Sequence, residues 1–155
     1  MSVWIDASTI IALDTIGEID LLRRTMGGVA VTPKIADEVL TERASSSLRY
    51  AVGTWIKMVP VRGDSRRWRR LGLGEGEASL FLTPREDILV LDDRVARQLA
   101  RAEGRPFTGL LGLLMEAVRA EVINRAQALE MLDRLAQSGF RMSLPLFRIV
   151  RENLE

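Results

Sequence analysis

The chain has 155 residues, a formal net charge of +1, and neither histidine nor cysteine. That length suits one hydrophobic core and is short for two ordinary domains, so a single domain over residues 1–155 is expected. Imidazole acid/base catalysis, thiol nucleophiles, thiol redox chemistry and Cys/His zinc sites are excluded, which leaves carboxylates as the main catalytic material and magnesium or manganese as the fitting ions.

Ser2 to Ile5 reads as a buried strand that runs out at Asp6, and Ile10, Leu13 and Ile16 then predict a helix over Thr9–Ile16, ended by Gly17. A short helix over Glu18–Arg24 follows, and Gly27-Gly28 turns the chain into a second strand, Val29 to Thr32. Pro33 suits the first position of a helix reaching about Leu40, with Ile35, Ala36 and Val39 inward and Glu38 one step from the buried face. Thr41 to Trp55 carries no clear period, although Ser45-Ser46-Ser47 offers a helix entry, and Ile56 to Val61 is a third strand. Gly63 to Leu73 reads as an exposed connection, Gly74 to Leu82 as a short helix stopped by Pro84, and Asp87 to Leu91 as the clearest strand.

Asp92-Asp93 mark that strand's carboxyl end, and a helix over Arg94–Glu103 ends at Gly104. Arg105-Pro106-Phe107 forms a short last strand, Leu110 to about Ala120 an apolar helix, and Asn124 caps the first of two C-terminal helices, which Gly139 ends. A final helix starts near Leu144. Leu110 to Met115 is interrupted by Glu116 and Arg119, too soon for a membrane span. The N-terminus enters a strand directly, with no leader pattern, so a cytoplasmic protein without membrane contact is expected.

Strands alternating with helices argue for an α/β fold with three layers, α/β/α, around a central parallel sheet of about five strands. Ligands of such sheets bind beyond the carboxyl ends of the strands, where Asp6 and Asp92-Asp93 stand. Each acidic position also has a structural reading. Asp6 is a possible helix cap, with Ser8 the better one; Asp92 and Asp93 could cap the next helix; Glu75 and Glu77 could complement a helix dipole. Glu75 and Glu77 are two residues apart, so only one is expected to point inward. Arg66, Arg67, Trp68, Arg69 and Arg70 form either an RNA-binding stretch, with arginines on phosphates and Trp68 stacked on a base, or a solvated loop whose Trp packs locally. The glycines at 72, 74 and 76 follow a polar loop rather than a strand, which argues against a dinucleotide fingerprint.

Taken in order, these segments resemble the PIN-domain nucleases, in particular their small archaeal and bacterial PIN-like branch. Val3-Trp4-Ile5-Asp6-Ala7-Ser8-Thr9 looks like the family's first motif, and Ile35-Ala36-Asp37-Glu38-Val39 its second. Leu71 to Ala78, with Glu75 and Glu77, resembles the third, where most PIN domains have aspartate. Ile88 to Arg97, with Asp92 and Asp93, resembles the fourth, and Thr108 to Leu114 the stretch after the last strand. The resemblance implies a metal-dependent ribonuclease using Mg²⁺ or Mn²⁺. Asp6, Glu38 and Asp93 or Asp92 would be ligands, Glu77 or Glu75 would complete the site, and Ser8 would orient Asp6. It also implies RNA as substrate, an antitoxin protein as partner and a homodimer, for which the apolar faces of Leu110–Leu114 and Leu129–Leu135 are candidates. The rival reading is a non-catalytic PIN-fold module that binds RNA or protein.

Overall fold

The computed structural model describes residues 2–155. Five strands, β1 (Val3–Ile5), β2 (Val29–Val31), β3 (Ile56–Met58), β4 (Ile88–Val90) and β5 (Phe107–Thr108), form one parallel sheet in the order β3-β2-β1-β4-β5. The helices α1 (Ala7–Thr15), α2 (Asp20–Met26), α3 (Pro33–Val39), α4 (Ser46–Ala51), α5 (Arg66–Arg70) and α6 (Glu75–Leu80) precede β4. Four more, α7 (Arg94–Ala102), α8 (Leu110–Arg119), α9 (Arg125–Gln137) and α10 (Leu144–Leu154), follow it. The architecture is the expected three-layer α/β/α arrangement.

The strands are short and apolar because both faces of the sheet are covered, so Val, Ile and Leu run without polar alternation. Ile5, Val31, Leu89 and Val90 are fully buried, and the register sets Trp4 opposite both Ala30 and Leu89. From β1 the chain steps outward to β2 and β3, then returns past β1 to β4 and β5. Strand order therefore reverses between β1 and β4, which opens a crevice at their carboxyl ends. That crevice is where Asp6 and Asp92 emerge.

Most departures from the sequence-based expectations have a local cause. β3 stops at Met58, three residues early, because it is an edge strand running into Pro60 and its Met58 and Val59 are exposed. The connection over Gly63–Leu73 holds a helix, α5, anchored by Trp68, which is 7% exposed and stacks on Phe81 with ring centroids 4.8 Å apart. The apolar faces of α8 and α9 proposed for a dimer are spent inside the protomer, with Leu110, Leu113, Leu114, Leu132 and Leu135 fully buried. α8 packs on α2 and α9.

The last strand starts at Phe107 because Arg105, only 4% exposed, is committed elsewhere. Its guanidinium donates to the Thr83 hydroxyl (2.9 Å) and to the carbonyls of Pro84 (2.8 Å), Thr83 (3.3 Å), Leu80 (3.4 Å) and Asp87 (3.4 Å). It satisfies the end of α6 and the turn into β4. Asp87 in turn accepts from Trp4 Nε1 (2.9 Å) and the Ser2 amide (3.0 Å), fastening β4 to β1 at the edge opposite the crevice. Arg105→Met would leave the Thr83 and Asp87 carbonyls without the donor they have here, while those of Leu80 and Pro84 keep bonds from Thr83 and the Asp87 amide, at a cost of about 3 kcal/mol. Urea unfolding should show a lower midpoint with an unchanged slope.

Candidate active site

Asp6 follows β1 directly, is 1% exposed, and serves as the N-cap of α1. Its Oδ1 accepts from the Thr9 amide (2.9 Å) and its Oδ2 from the Asp92 amide (2.8 Å), while its own amide donates to the Val90 carbonyl (3.1 Å). Asp92 is held from two further sides. The Thr9 hydroxyl donates to its Oδ2, and the Leu110 amide donates to its Oδ1 (3.1 Å). Burial, followed by the Asp92 charge, pushes the Asp6 carboxyl from 3.8 up to about 6, although the bonds from Thr9 and the Asp92 amide pull the other way. The expected role of Ser8 is corrected here: Asp6 itself caps α1, Thr9 makes the tie to Asp92, and Ser8 is exposed toward a cleft.

A second acidic group forms beside the first. Asp93 caps α7 by accepting from the Ala96 amide (2.8 Å). Half-buried Glu77 carries a carboxyl raised by burial first, then by Asp93 and, more weakly, Glu38, with a bond from Gly74 opposing. Glu38 comes from α3, which packs against α6. Gly76 makes that approach possible, since a methyl group there would collide with Glu38 Oε1 and lie 3.0 Å from Ile35 Cδ1. Glu75 points elsewhere, into ion pairs with Arg69 (3.3 Å) and Lys34 (3.5 Å). Of the two glutamates, Glu77 feels the charges of the acidic edge; of the two aspartates, Asp92 bonds to Asp6 through its amide, and the Asp93 charge acts on Glu77.

Among the described residues, Asp6, Glu38, Glu77, Asp92 and Asp93 take part in no ion pair. Nor, among those residues, do three acidic side chains converge closely enough to enclose one ion as they stand. The donor chemistry nevertheless fits a hard divalent cation: the groups are all carboxylates, and burial first, then neighbouring negative charge, raises Asp6 and Glu77. Asp6, Glu38, Glu77 and Asp93, with Asp92 alongside, are the side chains that such an ion would draw together.

The arginine-rich stretch does not present the surface expected for it. Trp68 is in the core, so its ring has no face for a base. Arg67 lies over the Trp68 ring (4.4 Å) and pairs with Glu103 (3.0 Å), Arg66 pairs with Asp64 (2.7 Å), and Arg69 pairs with Glu75. Only Arg70 of the five is exposed without an ion pair among the described residues. The cleft beside Asp92 and Asp93 is bordered partly by a segment without motif character. Its ≈ 700 Å³ are lined by Ser8, Ile11, Asp92, Asp93 and the turn at 138–143, which includes Phe140 and Arg141.

A parallel sheet whose switch point collects carboxylates from two strand ends and two facing helices defines an α/β/α protein with an acidic site at the sheet's edge. A family model described as a PIN domain matches residues 2–155, and the chain belongs to the PIN-domain family. The fold is of nuclease type. Comparison with curated proteins and with solved structures gives no match.

The raised Asp6 carboxyl has a consequence for metal-free protein. Between pH 3.8 and about 6 the folded state keeps a proton that the unfolded chain has released, so stability falls as pH rises through that window. For Asp6 alone the loss is on the order of 3 kcal/mol, and Glu77 adds in the same direction. Melting temperatures in EDTA should therefore decrease relative to Asp6→Asn as pH is raised from 4 to 7. Parallel pH profiles for the two proteins would assign the effect to other groups.

Proposed function

We propose that the protein is a divalent-metal-dependent endoribonuclease, hydrolysing phosphodiester bonds of single-stranded or structured RNA, and that it acts as the toxin of a toxin/antitoxin pair. The observation that carries this reading is Asp6: buried at the switch point, charged against Asp92, and adjoining the group formed by Asp93, Glu77 and Glu38. Membership of a family of generally nucleolytic domains supports hydrolase chemistry.

Asp6, Glu38, Glu77 and Asp93 would hold Mg²⁺ or Mn²⁺, with Asp92 as an added ligand. When bound, the ion supplies charge neutralisation at the phosphodiester and a water of lowered pKa. The chain's own contribution is positioning. Thr9 and the Leu110 amide orient Asp92, the Asp92 and Thr9 amides orient Asp6, and the α7 cap fixes Asp93. A protein antitoxin would have to block this acidic pocket, and an inserted arginine would suit its charge. The antitoxin, a homodimer and cytoplasmic residence rest on the family resemblance and the general character of the sequence.

A second reading, a non-catalytic module that binds RNA or protein, is favoured by one observation: both Asp6 oxygens already accept backbone hydrogen bonds. Cleavage of a mixed RNA pool separates the two. Purified protein with Mn²⁺ or Mg²⁺ should cut RNA, EDTA should stop it, and Asp6→Asn should lower the rate by a factor of about 100 or more. Wild-type activity in Asp6→Asn would sink the assignment. Glu77→Gln is expected to lose far more activity than Glu75→Gln, because the Glu77 carboxyl feels Asp93 and Glu38 whereas Glu75 is held in ion pairs with Lys34 and Arg69; equal effects would remove Glu77 from the site.

A further inference from the structure

We infer that the arginine face of α7, together with the turn between α9 and α10, is the track that receives the phosphate backbone of a single-stranded RNA and leads it to the acidic edge. Arg94, Arg97 and Arg101 recur three and four residues apart, placing one guanidinium on each turn of one helix face over about 10 Å. Arg141 joins them from the facing turn. None of these four takes part in an ion pair among the described residues, whereas Arg66, Arg67 and Arg69 all do.

Their placement is built rather than incidental. Arg97 and Arg101 lie over the Phe107 ring at 5.6 and 5.5 Å from its centroid. Gly109 clears a path for Arg97, since a Cβ there would stand 2.8 Å from Arg97 Nη1 and 3.1 Å from Asp92 Oδ1. The innermost guanidinium thus adjoins the acidic edge. A groove of ≈ 360 Å³ along this face opens into the ≈ 700 Å³ cleft, and both are bordered by Asp92, Arg94, Phe140 and Arg141.

Arginine forks bind phosphate oxygens bidentately, and the half-buried Phe140 and Met142 on the opposite wall offer surfaces for unstacked bases. Asp92, which borders the groove, would repel an acidic peptide and a phosphate backbone alike, so the choice between them rests on the bidentate fit of the arginines to phosphate and on what the strand delivers at its end. A nucleic acid brings to that end the bond which the proposed nuclease would cut. The inference deepens that reading and rests on it for the direction in which the strand runs.

The test is fluorescence anisotropy with a labelled oligouridylate of about 12 nucleotides, in EDTA so that no cleavage intervenes, at several salt concentrations. Arg94→Gln and Arg141→Gln together should weaken binding about tenfold or more and lower the slope of log K against log salt by about 0.7 per lost contact. Arg97→Gln and Arg101→Gln should add to this, with melting curves checking the packing on Phe107. Arg141→Lys should retain most of the affinity, and Arg66→Gln with Arg67→Gln should leave it intact. Unchanged affinity and slope in Arg94→Gln/Arg141→Gln would overturn the track, as would wild-type protein that binds no RNA or prefers a duplex. Binding that follows these arginines without any cleavage would end the nuclease reading and leave the track standing. Cleavage with binding indifferent to them would do the reverse.

Discussion

The two backbone hydrogen bonds accepted by the Asp6 carboxylate hold the functional edge of this sheet together. One comes from Thr9 and starts α1; the other comes from Asp92 and closes β1 onto the end of β4. A parallel sheet leaves a crevice at its switch point because the chain departs in opposite directions on the two sides. Here one side chain spans that crevice, and the same side chain is a candidate ligand. Its oxygens carry a structural duty before any ion is present, and its neighbour Asp92 is bound just as tightly by Thr9 and Leu110. Rigidity of this kind suits a site that must keep like charges close, because repulsion alone would push them apart.

The cost of that arrangement appears in the acid–base behaviour of the carboxyls. Asp6 is driven up by burial and by Asp92, and Glu77 by burial, Asp93 and Glu38. No ion pair among the described residues relieves either group, although arginine is abundant elsewhere on the chain. Arginines meanwhile pair with Asp64, Glu75 and Glu103, so cationic side chains are spent elsewhere while the acidic edge keeps its negative charge, which is what the proposed function asks of it. Gly76 belongs to the same logic. It leaves the room that the Glu38 carboxylate occupies beside α6, and a side chain there would push Glu38 and Ile35 out of their present positions.

Much of the fold was legible in the sequence because its signals are local. Continuous apolar runs mark β1, β2 and β4, Pro33 opens α3, and Asn124 with Gln127 forms a capping box at α9. What stayed hidden depends on partners far along the chain. Nothing near Ser8 or Thr9 says which hydroxyl will meet Asp92, 83 residues away from Thr9. The choice between Glu75 and Glu77 is made by Lys34 and Arg69, which capture the first, and by Asp93, which faces the second. Four arginines around Trp68 leave its sequence reading open between stacking on a base and packing locally, and Phe81 with the core beneath α5 decides for packing.

The arginines therefore divide by environment rather than by density in the sequence. The densest run, at 66–70, is largely neutralised by acidic neighbours and holds a short helix on the core. The sparser set on α7 is spaced by helical geometry, so residues separated by three and four positions become one surface. A periodic reading of Arg94, Arg97 and Arg101 would have found that surface from sequence. Its relation to Asp92 would still have been invisible, because it depends on Gly109 being bare and on α8 beginning immediately beyond it. Cationic and anionic side chains then adjoin with no ion pair between them among the described residues, as the proposed nuclease would require: charge to hold a phosphate backbone, and beside it a separate place where an ion could act on one bond.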